Sequence, residues 1–109
     1  MCIRDRVKPR PGRGVYAITK AALIFMTRQL AVEVGPMGIR VNAIAPGLVK
    51  TDFSEPLWGD QAFLQQVLSR TAMQRIGTPV DIAKVAAFIV SDQAAYMSGE
   101  VVVLDGAGY

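Results

Sequence analysis

Tyr16 and Lys20 are four residues apart in the run Tyr16-Ala17-Ile18-Thr19-Lys20. On a helix this spacing puts both side chains on one face, with Cβ atoms about 6 Å apart. An ammonium beside a phenol favours the phenolate and lowers the phenol's pKa from its reference of about 10, toward acid–base work near neutrality. A solvated Tyr–Lys pair has the same spacing, so the pair gains meaning only from its surroundings. Downstream, Pro46-Gly47 closes a β-branched run and Thr51 follows four residues after the glycine. Backbone groups at Val49 and the Thr51 hydroxyl could hydrogen-bond a carboxamide or a phosphate, although Pro46-Gly47 alone also suits a plain strand-ending turn. The chain has no His and a single Cys, Cys2. Imidazole-dependent hydrolysis, an internal disulfide and a Cys/His zinc site are therefore excluded.

The elements that would position these groups are legible in the pattern. Val15 to Val34 reads as a helix: Gly and Pro are absent, and Gly35-Pro36 supplies the stop. Its apolar residues occupy nearly the whole circumference, which predicts burial on several sides, against a sheet and another subunit. Ile39 to Ala45 reads as a strand, Leu48 to Leu57 as a loop, and Gly59 to Arg70 as a helix with Phe63, Val67, Leu64 and Leu68 inward. Thr78-Pro79-Val80-Asp81 is a helix start: Thr78 as N-cap, Pro79 at the first position, and Asp81 at the positive end of the dipole. That helix runs to about Asp92, and Gly99 to Asp105 reads as a final buried strand. The order helix, strand, helix, helix, strand predicts an α/β chain with a parallel sheet covered on both faces. Two such strands are too few to bury their own faces, so more chain upstream, or association, is expected.

The chain has 109 residues, 51% hydrophobic and 19% charged, with a net charge of +3. This excludes a disordered protein and allows one domain at most. The positive charge belongs to residues 1–13, where Arg4, Arg6, Lys8, Arg10 and Arg13 face only Asp5; the remainder holds seven bases and eight acids. Without interleaved aromatics this tail does not suit nucleic acid. It reads as a poorly structured segment, either a non-native start or a frayed native terminus. No unbroken apolar run is longer than Ala21 to Met26, which is too short to span a bilayer, so no membrane partner and a cytoplasmic setting are expected.

Together these segments resemble the short-chain dehydrogenase/reductase family from Gly14 to Tyr109. The matching text is Tyr16-Ala-Ile-Thr-Lys20-Ala-Ala, Gly38-Ile-Arg-Val-Asn42-Ala-Ile-Ala-Pro46-Gly47, Thr51, Arg75-Ile-Gly77-Thr-Pro79, Ala83 to Ile89, Ser98-Gly99 and Leu104-Asp105-Gly106. It looks most like the branch of 3-oxoacyl-[acyl-carrier-protein] reductases and glucose dehydrogenases. The resemblance implies that residues 14–109 are the C-terminal part of one Rossmann-like, doubly wound parallel sheet, with two strands and three or more helices. It implies hydride transfer between NAD or NADP, with a lean to NADP, and a small carbonyl or secondary alcohol substrate, without a metal. Tyr16 matches the catalytic acid/base. Lys20 matches the residue that lowers its pKa and bonds the nicotinamide ribose. Pro46, Gly47, Val49 and Thr51 match positions lining the nicotinamide and pyrophosphate. Phe53, Leu57, Trp58, Phe63 and Met73 fall in the family's substrate loop, where an apolar wall or ordinary core packing would suit them.

The departures are as informative. A glycine-rich phosphate turn is missing: Gly12 and Gly14 follow no strand and do not complete G-x-G-x-x-G. The family's catalytic serine would fall at Ile3, and its catalytic asparagine belongs further upstream. The expectation is the C-terminal half of an oxidoreductase that is inactive alone and homo-oligomeric, a tetramer, when complete. The alternative is a non-catalytic association module built on the apolar helix and the last strand.

Overall fold

A computed structural model describes residue 12 and residues 14–108. The Ile3 position and every charged residue of the basic tail lie outside the described residues. In chain order the elements are α1 (Gly14–Val34), a 3₁₀ turn (Gly35–Met37), β1 (Ala43–Pro46), α2 (Glu55–Trp58), α3 (Gln61–Leu68), α4 (Pro79–Val90), a 3₁₀ turn (Asp92–Ala94) and β2 (Val101–Leu104). β1 and β2 pair in parallel, Ala43 opposite Val101 through Pro46 opposite Leu104. Both strands therefore end at the same rim. The α/β class and the parallel pairing agree with the sequence pattern.

Helix α1 ends where expected. Pro36 enters the 3₁₀ turn, and Gly38 follows with φ 74°, a left-handed conformation that glycine adopts without a Cβ penalty. Helix α4 begins with a reciprocal capping box: the Asp81 N–H donates to Thr78 Oγ1 at 3.3 Å, and the Thr78 N–H donates to Asp81 Oδ2 at 2.8 Å. Asp81 also accepts both arms of the Arg75 guanidinium at 2.7 and 3.1 Å. That fork, with help from Thr78, holds the Asp81 carboxyl well below the usual carboxylate range. Helix α3 starts from an Asp60 cap that accepts from the Ala62 and Phe63 N–H groups. Phe63, Leu64, Val67 and Leu68 are its half-buried residues, the expected face.

Arg40 and Asn42 make the longest-range polar contacts. Arg40 donates to the carbonyls of Ile89 and Ser91 at 2.7 and 3.2 Å, at the end of α4 where no helical N–H can reach, and to Met97 O at 3.3 Å. Asn42 donates to Met97 O at 2.8 Å and accepts from the Glu100 N–H at 3.1 Å. This use of residues 40 and 42 places the start of β1 at Ala43 and not at Ile39.

Three expectations are corrected. Within this chain helix α1 is not buried on several sides: only Thr27 is buried, and Val15, Ile18, Phe25 and Val32 are each more than two-thirds exposed. The reason is size. A 21-residue helix is about 30 Å long, whereas two four-residue strands offer about 13 Å of length. For the same reason β2 is half-exposed rather than buried, and the sheet is not covered on both faces. Third, Leu48 to Leu57 is not all loop, since α2 occupies its end. Gly14–Met37, 24 residues, is by length and composition apolar enough to cross a bilayer. The unbroken run Ala21–Met26 understates this because single polar residues punctuate an otherwise apolar helix; a core helix of a soluble protein has the same properties.

Candidate active site

Tyr16 and Lys20 lie in the first two turns of α1, and the structure brings them together. Lys20 Nζ stands over the Tyr16 ring, 5.6 Å from its centre, at cation–π distance. Both residues are half-buried, and the Tyr16 hydroxyl oxygen is shielded from solvent. Thr19, between them, donates its hydroxyl to Tyr16 O at 2.8 Å.

Pro46, Gly47, Val49 and Thr51 form the second group, leaving the C-terminal end of β1, the side of a parallel sheet where ligands bind in open α/β folds. Gly47 N–H donates to Leu104 O at 2.9 Å. A Cβ on Gly47 would lie 2.9 Å from Asp105 Cα and 3.0 Å from Asp105 Cβ. The neighbour that requires glycine here is thus the chain leaving β2. Val49 bridges Gly77: Lys50 N–H donates to Gly77 O at 2.9 Å, and Gly77 N–H to Leu48 O at 2.8 Å. Thr51 is exposed, but its hydroxyl is engaged with Ser54 at 3.0 Å. The Trp58 indole N–H donates to Thr51 O at 2.9 Å, and Lys50 Nζ sits 4.9 Å above the Trp58 ring.

Lys20, Val49 and Thr51 make no hydrogen bond from one group to the other among the described residues. Ser54 and Trp58 are the residues that the sequence reading passed over as loop braces. Thr51-x-x-Ser54, a hydroxyl pair three apart at a helix start, was the available signal.

The expected apolar wall is dispersed. Phe53 is almost fully exposed, Trp58 braces the loop, and Phe63 belongs to α3. Met73 lines a cavity of about 270 Å³ with Leu48, Val67, Ile76, Val85 and Leu104, rimmed by the Arg75–Asp81 pair. None of Tyr16, Lys20, Pro46, Gly47, Val49 or Thr51 lines it.

Comparison with known proteins places this geometry. The sequence model of the family described as "Enoyl-(Acyl carrier protein) reductase" matches residues 4–109. The chain belongs to the short-chain dehydrogenase/reductase family. Dehydrogenase/reductase SDR family member 4 of Sus scrofa is 44% identical over 98 residues, covering 90% of this chain and 35% of that protein. This chain thus spans about a third of the length of that relative. Among solved structures, 4-hydroxyisoleucine dehydrogenase complexed with NADH superposes with a TM-score of 0.90 at 33% identity, covering 97% of this chain and 44% of its own. A putative 2-deoxy-d-gluconate 3-dehydrogenase from Agrobacterium tumefaciens with bound NADP gives 0.81 at 38% identity, covering 84% of this chain and 37% of its own. The fold of this family member is therefore part of a Rossmann-like sheet.

Proposed function

We propose that the protein carrying this chain is an NAD(P)-dependent oxidoreductase acting on a small carbonyl or secondary alcohol, and that this chain supplies its acid/base pair and the nicotinamide side of its cofactor site. The observation that carries the reading is the Lys20 ammonium over the Tyr16 ring on one face of α1, in a member of a family whose solved relatives hold NADH or NADP. The residues fit the nicotinamide end of such a cofactor. Thr51, an exposed residue, stands beyond the carboxyl end of β1, beside Val49. Among the described residues there is no glycine-rich turn for the pyrophosphate, so Gly47, Val49 and Thr51 hold one end only.

When bound, the nicotinamide supplies or accepts a hydride at its C4. The chain's own residues handle the proton. In reduction, the Tyr16 hydroxyl gives its proton to the substrate oxygen as the carbonyl carbon gains the hydride; in oxidation, the phenolate takes that proton back. Lys20 keeps a positive charge beside the phenolate left on Tyr16 and so stabilises it. NADP is the favoured cofactor, and the complete enzyme is a cytoplasmic homotetramer without a membrane or nucleic-acid partner. Alone, these 109 residues are inactive.

The test is Tyr16→Phe in the full-length enzyme. Turnover should fall at least a hundredfold, in line with loss of a positioned acid/base group, while the cofactor dissociation constant changes less than threefold. Turnover within threefold of wild type would remove Tyr16 from the chemistry.

A second reading, association without catalysis, is favoured by the exposed Val15, Ile18, Phe25 and Val32 along α1. Sedimentation of the isolated chain separates the two: a clean monomer with a cooperative melt contradicts the association module.

A further inference from the structure

Asp105 is followed by Gly106, and no other Asp or Asn in the chain precedes a glycine. In any Asp–X peptide the amide nitrogen of X can close a five-membered ring on the aspartate's carboxyl carbon. A Cβ on X crowds that ring, and glycine has none. The other aspartates precede Arg6, Phe53, Gln61, Ile82 and Gln93. The exit of β2 presents both reacting groups. Asp105 Oδ1 accepts from the Ala107 N–H at 3.0 Å, an Asx turn that curls the carboxyl back over the Gly106 peptide. The second oxygen follows the same stretch: a Cβ on Gly108 would stand 3.1 Å from Asp105 Oδ2. The Gly106 N–H gives no hydrogen bond among the described residues, so no acceptor holds it away from the carboxyl carbon. Proximity of this kind is what speeds an intramolecular ring closure. Asp105 and Gly106 are half-buried, within reach of water. The same residues fasten the chain that leaves β2. Gly106 O accepts from the Met73 N–H at 3.1 Å, Ala107 O accepts from the Ala72 N–H at 3.2 Å, and Gly108 bridges Thr71. The fastening is tight, for Gly106 has φ 67° and Ala107, which carries a Cβ, has φ 59°.

We infer that Asp105–Gly106 is a site of spontaneous isoaspartate formation, and that the reaction unfastens the chain leaving β2 from residues 71–73. The Gly106 nitrogen bonds to the Asp105 carboxyl carbon. One carboxyl oxygen leaves as water, taking the Gly106 amide proton and a proton from solvent, and a cyclic imide remains. Water then adds to one of the two imide carbonyl carbons and breaks its bond to nitrogen, and ionisation of the new carboxyl returns the solvent proton. Opening at the former side-chain carbon restores aspartate. Opening at the main-chain carbon gives isoaspartate, whose chain runs through Cβ and Cγ and leaves the original carbonyl as a free carboxylate. Nothing is oxidised or reduced, and the composition is unchanged. The main chain gains one atom, about 1.5 Å of length. Hydrogen bonds already at 3.1 and 3.2 Å, between residues held at positive φ, do not survive that shift. Thr71 and Met73 line the cavity together with Asp105 and Gly106, so the loosened segment is also one of its walls.

The test is incubation of the folded full-length protein in mildly alkaline buffer made with water carrying heavy oxygen, then digestion in ordinary water and mass spectrometry. Each passage through the imide replaces one oxygen of residue 105 by a solvent oxygen. The peptide holding Asp105 should therefore gain a heavy oxygen, and peptides holding Asp52, Asp60, Asp81 or Asp92 should gain none. Protein isoaspartyl methyltransferase should transfer a methyl group to the Asp105 peptide alone. Asp105→Glu would need a six-membered ring and should lose both signals. The Ala72 and Met73 amides should lose hydrogen-exchange protection in the incubated wild type and keep it in Asp105→Glu. Folded wild type that takes up no label overturns the inference, and needs no variant to fold; uptake by the same protein in urea would then show that the fold, and not the dipeptide, forbids the ring. Label spread evenly over the aspartates, label without methyl transfer, or an isoaspartyl protein whose Ala72 and Met73 amides stay protected overturns it as well.

Discussion

Gly47→Ala isolates a single steric contact. The added methyl carbon would sit 2.9 Å from Asp105 Cα and 3.0 Å from Asp105 Cβ, and the nearer of the two is main chain. Relief requires the two strand exits to part by about 0.5 Å or more, because carbon pairs pack comfortably at about 3.5 Å. That movement loads the Gly47 N–H to Leu104 O bond, now 2.9 Å. Overpacking of this kind costs about 1 to 3 kcal/mol, and loss of the bond falls within that range. For a domain of about 250 residues, 2 kcal/mol corresponds to a fall in Tm of about 4 to 8 °C. Gly35→Ala serves as control, since a Cβ there meets nothing within 4 Å. Circular dichroism melts of the full-length variants check both. Hydrogen exchange at residue 47 should quicken in Gly47→Ala and stay unchanged in Gly35→Ala. A Gly47→Ala protein that melts within 1 °C of wild type and keeps its exchange protection would show that β1 and β2 do not leave the sheet this close together.

Two further outcomes follow from named contacts. Asp81 has a lowered carboxyl pKa, first through the Arg75 guanidinium and then through Thr78. A carboxylate depressed in the folded state stabilises the fold above its unfolded pKa, about 4, and loses that contribution as pH falls from there toward the folded value. Urea midpoints of wild type and Asp81→Asn should therefore differ at pH 6 and converge as the pH drops below about 4; a constant gap would contradict the pairing. Arg40→Met removes a cation that three carbonyls share. It should cost about 2 kcal/mol in a denaturant titration, with Arg40→Lys restoring less than half, because an ammonium lacks the planar fork.

What the sequence made legible was local. Thr78, Pro79 and Asp81 lie within one turn, and each acts through backbone groups no more than three residues away, so the start of α4 was readable without any tertiary knowledge. The Tyr16–Lys20 pair was readable for the same reason: its members are four positions apart on a helix whatever surrounds it. The boundary of β1 was not. Ile39 to Asn42 has strand-like residues, but Arg40 and Asn42 bond to carbonyls 49 to 57 residues away, which no local pattern announces. Helix α2 has four residues, too few for a period to register. The burial of α1 was misjudged because an apolar circumference states what a helix would gain from cover, not what lies beside it. The brace from Ser54 to Thr51 was within reach of a sequence reading, since hydroxyls three residues apart commonly bond one another's backbone.

Helix α1 has a mechanical consequence. Its last turn is tied down through the Gly35–Gly38 turn, where the Ile39 N–H also reaches Val34 O. Tyr16 stands about 27 Å from that anchor. At the end of such a lever, a tilt of only about 5° carries the phenol through more than 2 Å, where misplacements of about 1 Å cost reaction rate. For the acid/base pair proposed above, aim is thus set along the whole flank of the helix. Ile18, Phe25 and Val32 stand exposed along that flank, so whatever covers them sets the tilt.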